Sequence, residues 1–181
     1  MMDSRSFDSG RIAEGYLKRP WLHKSVMEQV KEDCGIKLFF RNGLDVGCGA
    51  GLSTKALKLI CDRVTGTDIS EAMIEVCRKT YKEDGYSFYQ AKAEETAVPK
   101  NQYDIVTAAG VINWVERDKF LKSMSQVMEP AGLLLIYDLS LAFSSVPQSK
   151  SALNNNIPET MWRCKREDNP EVLQFPRLPD R

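Results

Sequence analysis

The chain has 181 residues, 43% apolar and 28% charged, which fits one globular domain with a sizeable core. Its 25 basic and 25 acidic residues cancel, so the sequence offers no basic face for a nucleic acid. The five cysteines are odd in number and form no CxxC pair, Met1-Met2-Asp3-Ser4-Arg5 opens no apolar leader, and the apolar run around Leu133 to Tyr137 is far too short to span a bilayer. The expectation is a soluble cytoplasmic protein with free thiols and neither a membrane nor a nucleic-acid partner.

Residues 1 to about 19 are polar with spaced aromatics, Phe7 and Tyr16, followed by Arg19-Pro20. Tyr16 and Arg19 carry a hydroxyl and a guanidinium, a pair suited to a carboxylate. The other reading of this segment is a surface helix with one packed tyrosine. Trp21, Leu22, Val26, Met27 and Val30 recur at helical spacing, and Gly35 is a plausible helix stop. His23, the single histidine, lies in this helix beside Lys24 and reads as solvated rather than catalytic.

The next stretch organises the chain. Strand one, Gly43 to Val46, carries Asp45 and runs into Gly47-Cys48-Gly49-Ala50-Gly51. Leu52, Ala56, Leu59 and Ile60 then recur at helical spacing, so a helix is expected to about Cys61. Such a strand, glycine turn and helix lies at the carboxyl end of a sheet strand, where ligands bind in α/β folds. Gly47, Gly49 and Gly51 permit positive φ and bring backbone close to a ligand, with free N–H groups aimed at it. Cys48 is a small residue of the same turn, with no chemistry of its own. The dinucleotide fingerprint GxGxxG needs a third glycine at position 52, which is Leu52; the spacing here is GxGxG. Taken alone, the triplet also fits a tight turn that holds no ligand.

Strand two, Arg63 to Thr67, ends at Asp68, 23 residues after Asp45. An acid at this distance, on the tip of the next strand, can accept from both hydroxyls of a ribose. Asp68 also reads as a helix N-terminal acid, a place that Ser70 would fill equally well. A helix from about Glu71 to Tyr81 follows, with Ala72, Met73, Ile74 and Cys77 inward, then strand three from Tyr86 to Ala91 and the loop Lys92-Ala93-Glu94-Glu95. Strand four, Tyr103 to Ala109, ends in small residues before Val111-Ile112-Asn113-Trp114. A helix over Asp118 to Met128, a turn at Pro130-Ala131-Gly132 and a buried strand from Gly132 to Leu139 complete the pattern. Residues 144–147 and 154–156 read as loops, Met161 to Cys164 as a short helix, and the prolines beyond Asn169 break any element.

With these motifs in place, LDVGCGAG and GTDISEAMI resemble the first two motifs of the class I S-adenosylmethionine-dependent methyltransferases. The likeness is greatest to the small-molecule group of ubiquinone, menaquinone and trans-aconitate type enzymes. It continues through Ala93-Glu94-Glu95, Pro99 and Tyr103-Asp104-Ile105-Val106, from about Phe7 to about Leu139. The resemblance implies an α/β, Rossmann-like doubly wound parallel sheet of strand order 3-2-1-4-5 with helices on both faces. It divides the chain into a lid segment and helix over 1–35, a cofactor-binding core over 36–140 and an irregular tail over 141–181. The antiparallel hairpin that closes the sheet in complete members is not evident here, and reads as missing or degenerate in a shortened chain.

The cofactor implied is S-adenosyl-L-methionine, with no metal. The contacts implied are Tyr16 and Arg19 from the lid; Asp45, Gly47, Cys48 and Gly49 from the turn; Asp68 for the ribose; Ile69 and Met73 against the adenine faces; Ala93 and Glu94 in the adenine loop; and Ala109 beside the methionine part. Asp45 is expected near the cofactor amino group, or else as a carboxylate bonded to turn N–H groups. Met73 is by default a core residue. Lys92 stands where the family often carries an acid, which puts the side-chain contact to the adenine amine in doubt, because an ammonium only donates. Asn113 and Trp114 are expected at the acceptor pocket, Trp114 alternatively as packing between strand four and the next helix.

The reaction implied is in-line displacement of a methyl group to a small-molecule acceptor. No base is obligatory, and without a well-placed histidine the expected acceptor is a carboxylate or an already activated group. One alternative is an inactive or shortened methyltransferase-fold module that binds or regulates. The other is a nucleotide-dependent oxidoreductase, disfavoured by the GxGxG spacing.

Overall fold

The computed structural model describes residues 10–33, 39–96, 98–138, 162–164 and 172–174. Two helices come first, α1 (Gly10–Leu17) and α2 (His23–Asp33). The core then alternates: β1 (Phe40–Val46), α3 (Leu52–Leu57), β2 (Cys61–Asp68), α4 (Glu71–Thr80), β3 (Tyr86–Gln90), β4 (Tyr103–Ala109), α5 (Arg117–Val127) and β5 (Met128–Tyr137). Two three-residue strands follow, β6 (Trp162–Cys164) and β7 (Val172–Gln174). The sheet order is β3-β2-β1-β4-β5-β7-β6. The first five strands are parallel, in the order 3-2-1-4-5 implied by the resemblance.

Both faces of the sheet are covered, which is why its central strands read as continuous apolar runs. On one face Met27 and Val30 of α2 and Ala56 and Leu57 of α3 pack on Val64, Ile105, Leu133, Leu135 and Tyr137. On the other, Phe120, Met124 and Val127 of α5 pack on Leu44, Val46, Val106, Ala108 and Leu134. The alternation along β4 and β5 divides neighbouring residues between the two layers.

Several boundaries differ from expectation, each for a local reason. The helix expected to reach Cys61 ends at Leu57, because Leu59 N–H and Ile60 N–H bond three residues back, to Ala56 and Leu57, and tighten the last turn. Cys61 therefore already belongs to β2. The Pro130-Ala131-Gly132 turn lies within β5, at the register break between Tyr103↔Met128 and Ile105↔Leu133, with Ala131 at φ 65°. It acts as an irregularity in a strand rather than as its start.

The missing hairpin is corrected: β7 pairs antiparallel with β5, and β6 antiparallel with β7. Trp162 to Cys164, expected as part of a short helix, is strand. Three residues are too few to display a two-residue alternation, so neither strand announces itself in the sequence. Phe7, Gly35 and the loops at 144–147 and 154–156 lie outside the described residues. Among the described residues no helix is long and apolar enough to cross a membrane.

Candidate functional site

The site forms at the carboxyl ends of β1, β2 and β4. After Val46 the chain turns through Gly47 at φ 67°, Gly49 at φ 52° and Gly51 at φ 88°, all in the left-handed region that glycine enters without a Cβ clash. Two of the three also answer to packing. A Cβ on Gly47 would stand 2.4 Å from Val111 Cγ2, and one on Gly51 would stand 2.5 Å from the Tyr81 ring. At Gly49 the nearest atom to such a Cβ is Tyr16 Cδ1, 3.9 Å away, so its backbone is approachable.

Asp68 closes the turn from the tip of β2. Its carboxylate accepts from Gly49 N–H (2.8 Å) through one oxygen and from Ser70 N–H (2.9 Å) through the other. Ser70 is the N-cap of α4, its hydroxyl accepting from Met73 N–H at 3.4 Å. Ser70 caps the helix, and Asp68 joins the glycine turn to the N-terminus of α4. Cys48 is buried in that turn, its N–H bonded to the Thr67 carbonyl. Its thiol lies beside Cys77, whose proximity, together with burial, raises its pKa.

Asp45 has no exposed surface. Ser53 and Thr54 hydroxyls donate to one carboxylate oxygen, each at 2.6 Å, and the Thr107 hydroxyl donates to the other at 2.9 Å. Burial nevertheless pushes its pKa up to about 6, against the opposing pull of these three hydrogen bonds. These partners are hydroxyls from α3 and β4 rather than the turn N–H groups considered from sequence. Nothing in the sequence names Thr107 as a partner, since it lies 62 residues from Asp45; Ser53 and Thr54, directly after the turn, were readable as polar residues in an otherwise apolar helix face.

Two residues of the N-terminal segment arrive at the same place. Tyr16 on α1 abuts Gly49, and the Arg19 guanidinium lies 3.6 Å from the centre of the Tyr16 ring. Ile69, 46% exposed, projects beside Asp68. Met73 is buried with Ala13, Ala50 and Val76, the packing role it has by default. Ala93 packs at the margin of the α5 layer, and the Glu94 carboxylate accepts from Glu116 N–H at 3.1 Å, tying the loop after β3 to the start of α5. Lys92 and Glu95 form an isolated bridge across that loop. Ala109 ends β4, and Gly110 N–H bonds the Tyr137 carbonyl of β5 at 2.8 Å. Asn113 is exposed, and Trp114 is 58% exposed.

Two features escaped the sequence. His23, expected to be solvated, is half-buried, and its Nδ1 lies 2.9 Å from the Tyr137 hydroxyl. Among the described residues the buried Thr67 hydroxyl has no hydrogen-bond partner. Both depend on contacts between distant segments and leave no local spacing signal. Among the described residues no cluster of three metal-ligating side chains occurs.

The fold and site define a doubly wound α/β domain with a glycine turn after β1 and a carboxylate at the tip of β2. Residues 44–136 match the model of the methyltransferase domain family, and the chain belongs to that family. Over 105 residues it is 36% identical to the ubiquinone/menaquinone biosynthesis C-methyltransferase UbiE of Psychromonas ingrahamii and 37% identical to that of Shewanella frigidimarina. These matches cover 54% of this chain and 42% of each relative, so the chain spans less than half of those enzymes. Among solved structures, an S-adenosylmethionine-dependent methyltransferase from Aquifex aeolicus superposes with a TM-score of 0.58 at 22% identity, over 71% of each chain. The [4+2]-cyclase SpnF superposes at 0.54 and 20% identity, over 62% of this chain and 44% of that one. At these identities the structural likeness is one of fold.

Proposed function

We propose that this chain binds S-adenosyl-L-methionine and transfers its methyl group to a small-molecule acceptor. The observation that carries the reading is the joint geometry of Gly49 and Asp68: an approachable backbone beside a carboxylate held by two N–H groups at a strand tip. A carboxylate has about four acceptor sites, and a ribose offers two hydroxyl donors, so the chemistry of the pair fits a nucleoside. The match of the methyltransferase model and the relation to UbiE enzymes support a sulfonium nucleoside over a nicotinamide dinucleotide.

When bound, the cofactor supplies an electrophilic methyl group, and the protein's part is alignment and exclusion of water. Asp68 orients the ribose. Gly47 and Gly49 admit the ligand to the backbone, and Tyr16 with Arg19 covers it. Exposed Trp114 and Asn113 border the space beyond Ala109, where an acceptor would stack or hydrogen bond. With no base assigned, a carboxylate or an already activated acceptor suits this site best.

A second reading, a module that binds the cofactor without turnover, draws on Lys92 in the adenine loop, whose ammonium only donates. Calorimetry with S-adenosylmethionine and S-adenosylhomocysteine tests the first requirement. Micromolar binding that Asp68→Ala weakens by tenfold or more supports the site; no binding by folded protein overturns it. Binding with no turnover across a panel of acceptors favours the second reading.

A further inference from the structure

We infer that His23, held by Tyr137, is a neutral hydrogen-bond donor for the carboxylate at the amino-acid end of the bound ligand. The inference rests on the cofactor reading above and adds a contact that the motifs do not assign.

The argument begins with the proton. His23 Nδ1 and the Tyr137 hydroxyl are 2.9 Å apart, and the rings meet edge to face with centroids 5.8 Å apart. Tyr137 is buried, and burial raises its pKa, so the phenol keeps its proton at neutral pH. Among the described residues that hydroxyl has no acceptor other than His23. A buried O–H left without an acceptor is costly, so the phenol donates and Nδ1 accepts. The proton of the neutral imidazole then sits on Nε2, which no described residue engages. Burial lowers the His23 pKa and keeps the ring neutral. In this state His23 offers a fixed donor.

Its position follows from the sheet. Tyr137 lies opposite Ala109 in the β4–β5 register, on the face that also carries Asp45 and Thr107. The adenine loop follows β3 and the ribose acid ends β2, so the ligand's remaining arm runs over β1 and β4 toward β5. Two strand spacings, about 10 Å, separate the tips of β2 and β4. Measured from the ribose hydroxyls, the sugar, the sulfur and the four-carbon amino-acid arm together span that interval and bring the carboxylate toward β5. The start of α2 is fastened there. Trp21 Nε1–H donates to the Leu52 carbonyl at 3.0 Å, and Lys55 Nζ lies 4.4 Å from the centre of the Trp21 ring, adding positive charge on the same side. A donor with neighbouring positive charge suits a carboxylate and repels an ammonium.

Because His23 is the single histidine, its imidazole gives one unambiguous set of NMR signals. Long-range proton–nitrogen correlation should show the Nε2–H tautomer at pH 7.5. S-adenosylhomocysteine should move the Nε2 resonance, while 5′-methylthioadenosine, which lacks the amino-acid group, should leave it in place. By calorimetry, His23→Ala should weaken S-adenosylhomocysteine about tenfold, as for loss of a hydrogen bond to a charged group, and change 5′-methylthioadenosine less than twofold. Tyr137→Phe should retain the fold and lose the pure tautomer. An Nδ1–H tautomer, equal responses to the two ligands, or a stationary His23 signal with S-adenosylhomocysteine bound would overturn the inference and leave the cofactor reading intact. Failure of folded wild-type protein to bind S-adenosylhomocysteine would overturn both.

Discussion

At the scale of single residues, the two carboxylates of the site behave differently because of what surrounds them. Asp68 is partly exposed and oriented by backbone N–H groups, whereas Asp45 is sealed beneath the turn with three hydroxyl donors. The pKa of Asp45 is raised from 3.8 to about 6, so the folded state holds its proton more tightly than the unfolded chain does. Its contribution is complete below about pH 4 and is lost as the pH rises through about 6. At ~1.4 kcal/mol per pH unit this amounts to about 3 kcal/mol across the window. Urea midpoints measured from pH 4 to 7 should therefore fall in the wild type relative to Asp45→Asn, which does not titrate; parallel profiles would count against the raised pKa. Trp114 is 58% exposed and is proposed on the acceptor side, so Trp114→Ala should leave S-adenosylhomocysteine affinity within twofold and lower turnover once an acceptor is known. A large loss of cofactor affinity in that variant would move Trp114 from the acceptor side to the cofactor side.

At the scale of elements, the glycine turn is held by packing as much as by any ligand. Gly47→Ala would combine an unfavourable positive φ with a Cβ driven into Val111, and should cost about 3 kcal/mol by chemical denaturation even without cofactor. An undiminished unfolding midpoint would show that Val111 can move aside. Ser70→Ala should cost about 1 kcal/mol through loss of the α4 cap. These elements were readable in the sequence because their signals are local: three glycines at alternate positions, an acid at the following strand tip and a helix with apolar residues at turn spacing. The helix after the turn is shorter than its periodicity suggests because Leu59 and Ile60 continue the apolar spacing after the backbone has tightened. The strands β6 and β7 were missed because three residues carry no period. The His23–Tyr137 contact spans 114 residues, and no spacing rule within either segment anticipates it.

At the scale of the molecule, one sheet joins two apolar layers, and its middle strands have neighbours on both sides. Amide hydrogen exchange should be slowest in β1 and β4 and faster in β3, which has a partner on one side only. Uniform protection across the sheet would contradict that ranking. The position of β1 between β2 and β4 has a consequence for synthesis. β2 follows it closely in the chain, but the edge that receives β4 stays open until the chain has grown much further; at its start, the backbone N–H groups of Arg41 and Asn42 wait for the carboxylate of Asp104, both at 2.8 Å in the folded protein and the second across 62 residues. A nascent chain that has made the glycine turn therefore carries an apolar half-sheet with an unpaired central edge. The glycine turn and Asp68, to which we assign the nucleoside, are translated well before the strand that shields their flank, so on that proposal ligand capture awaits the emergence of β4 and β5 from the ribosome.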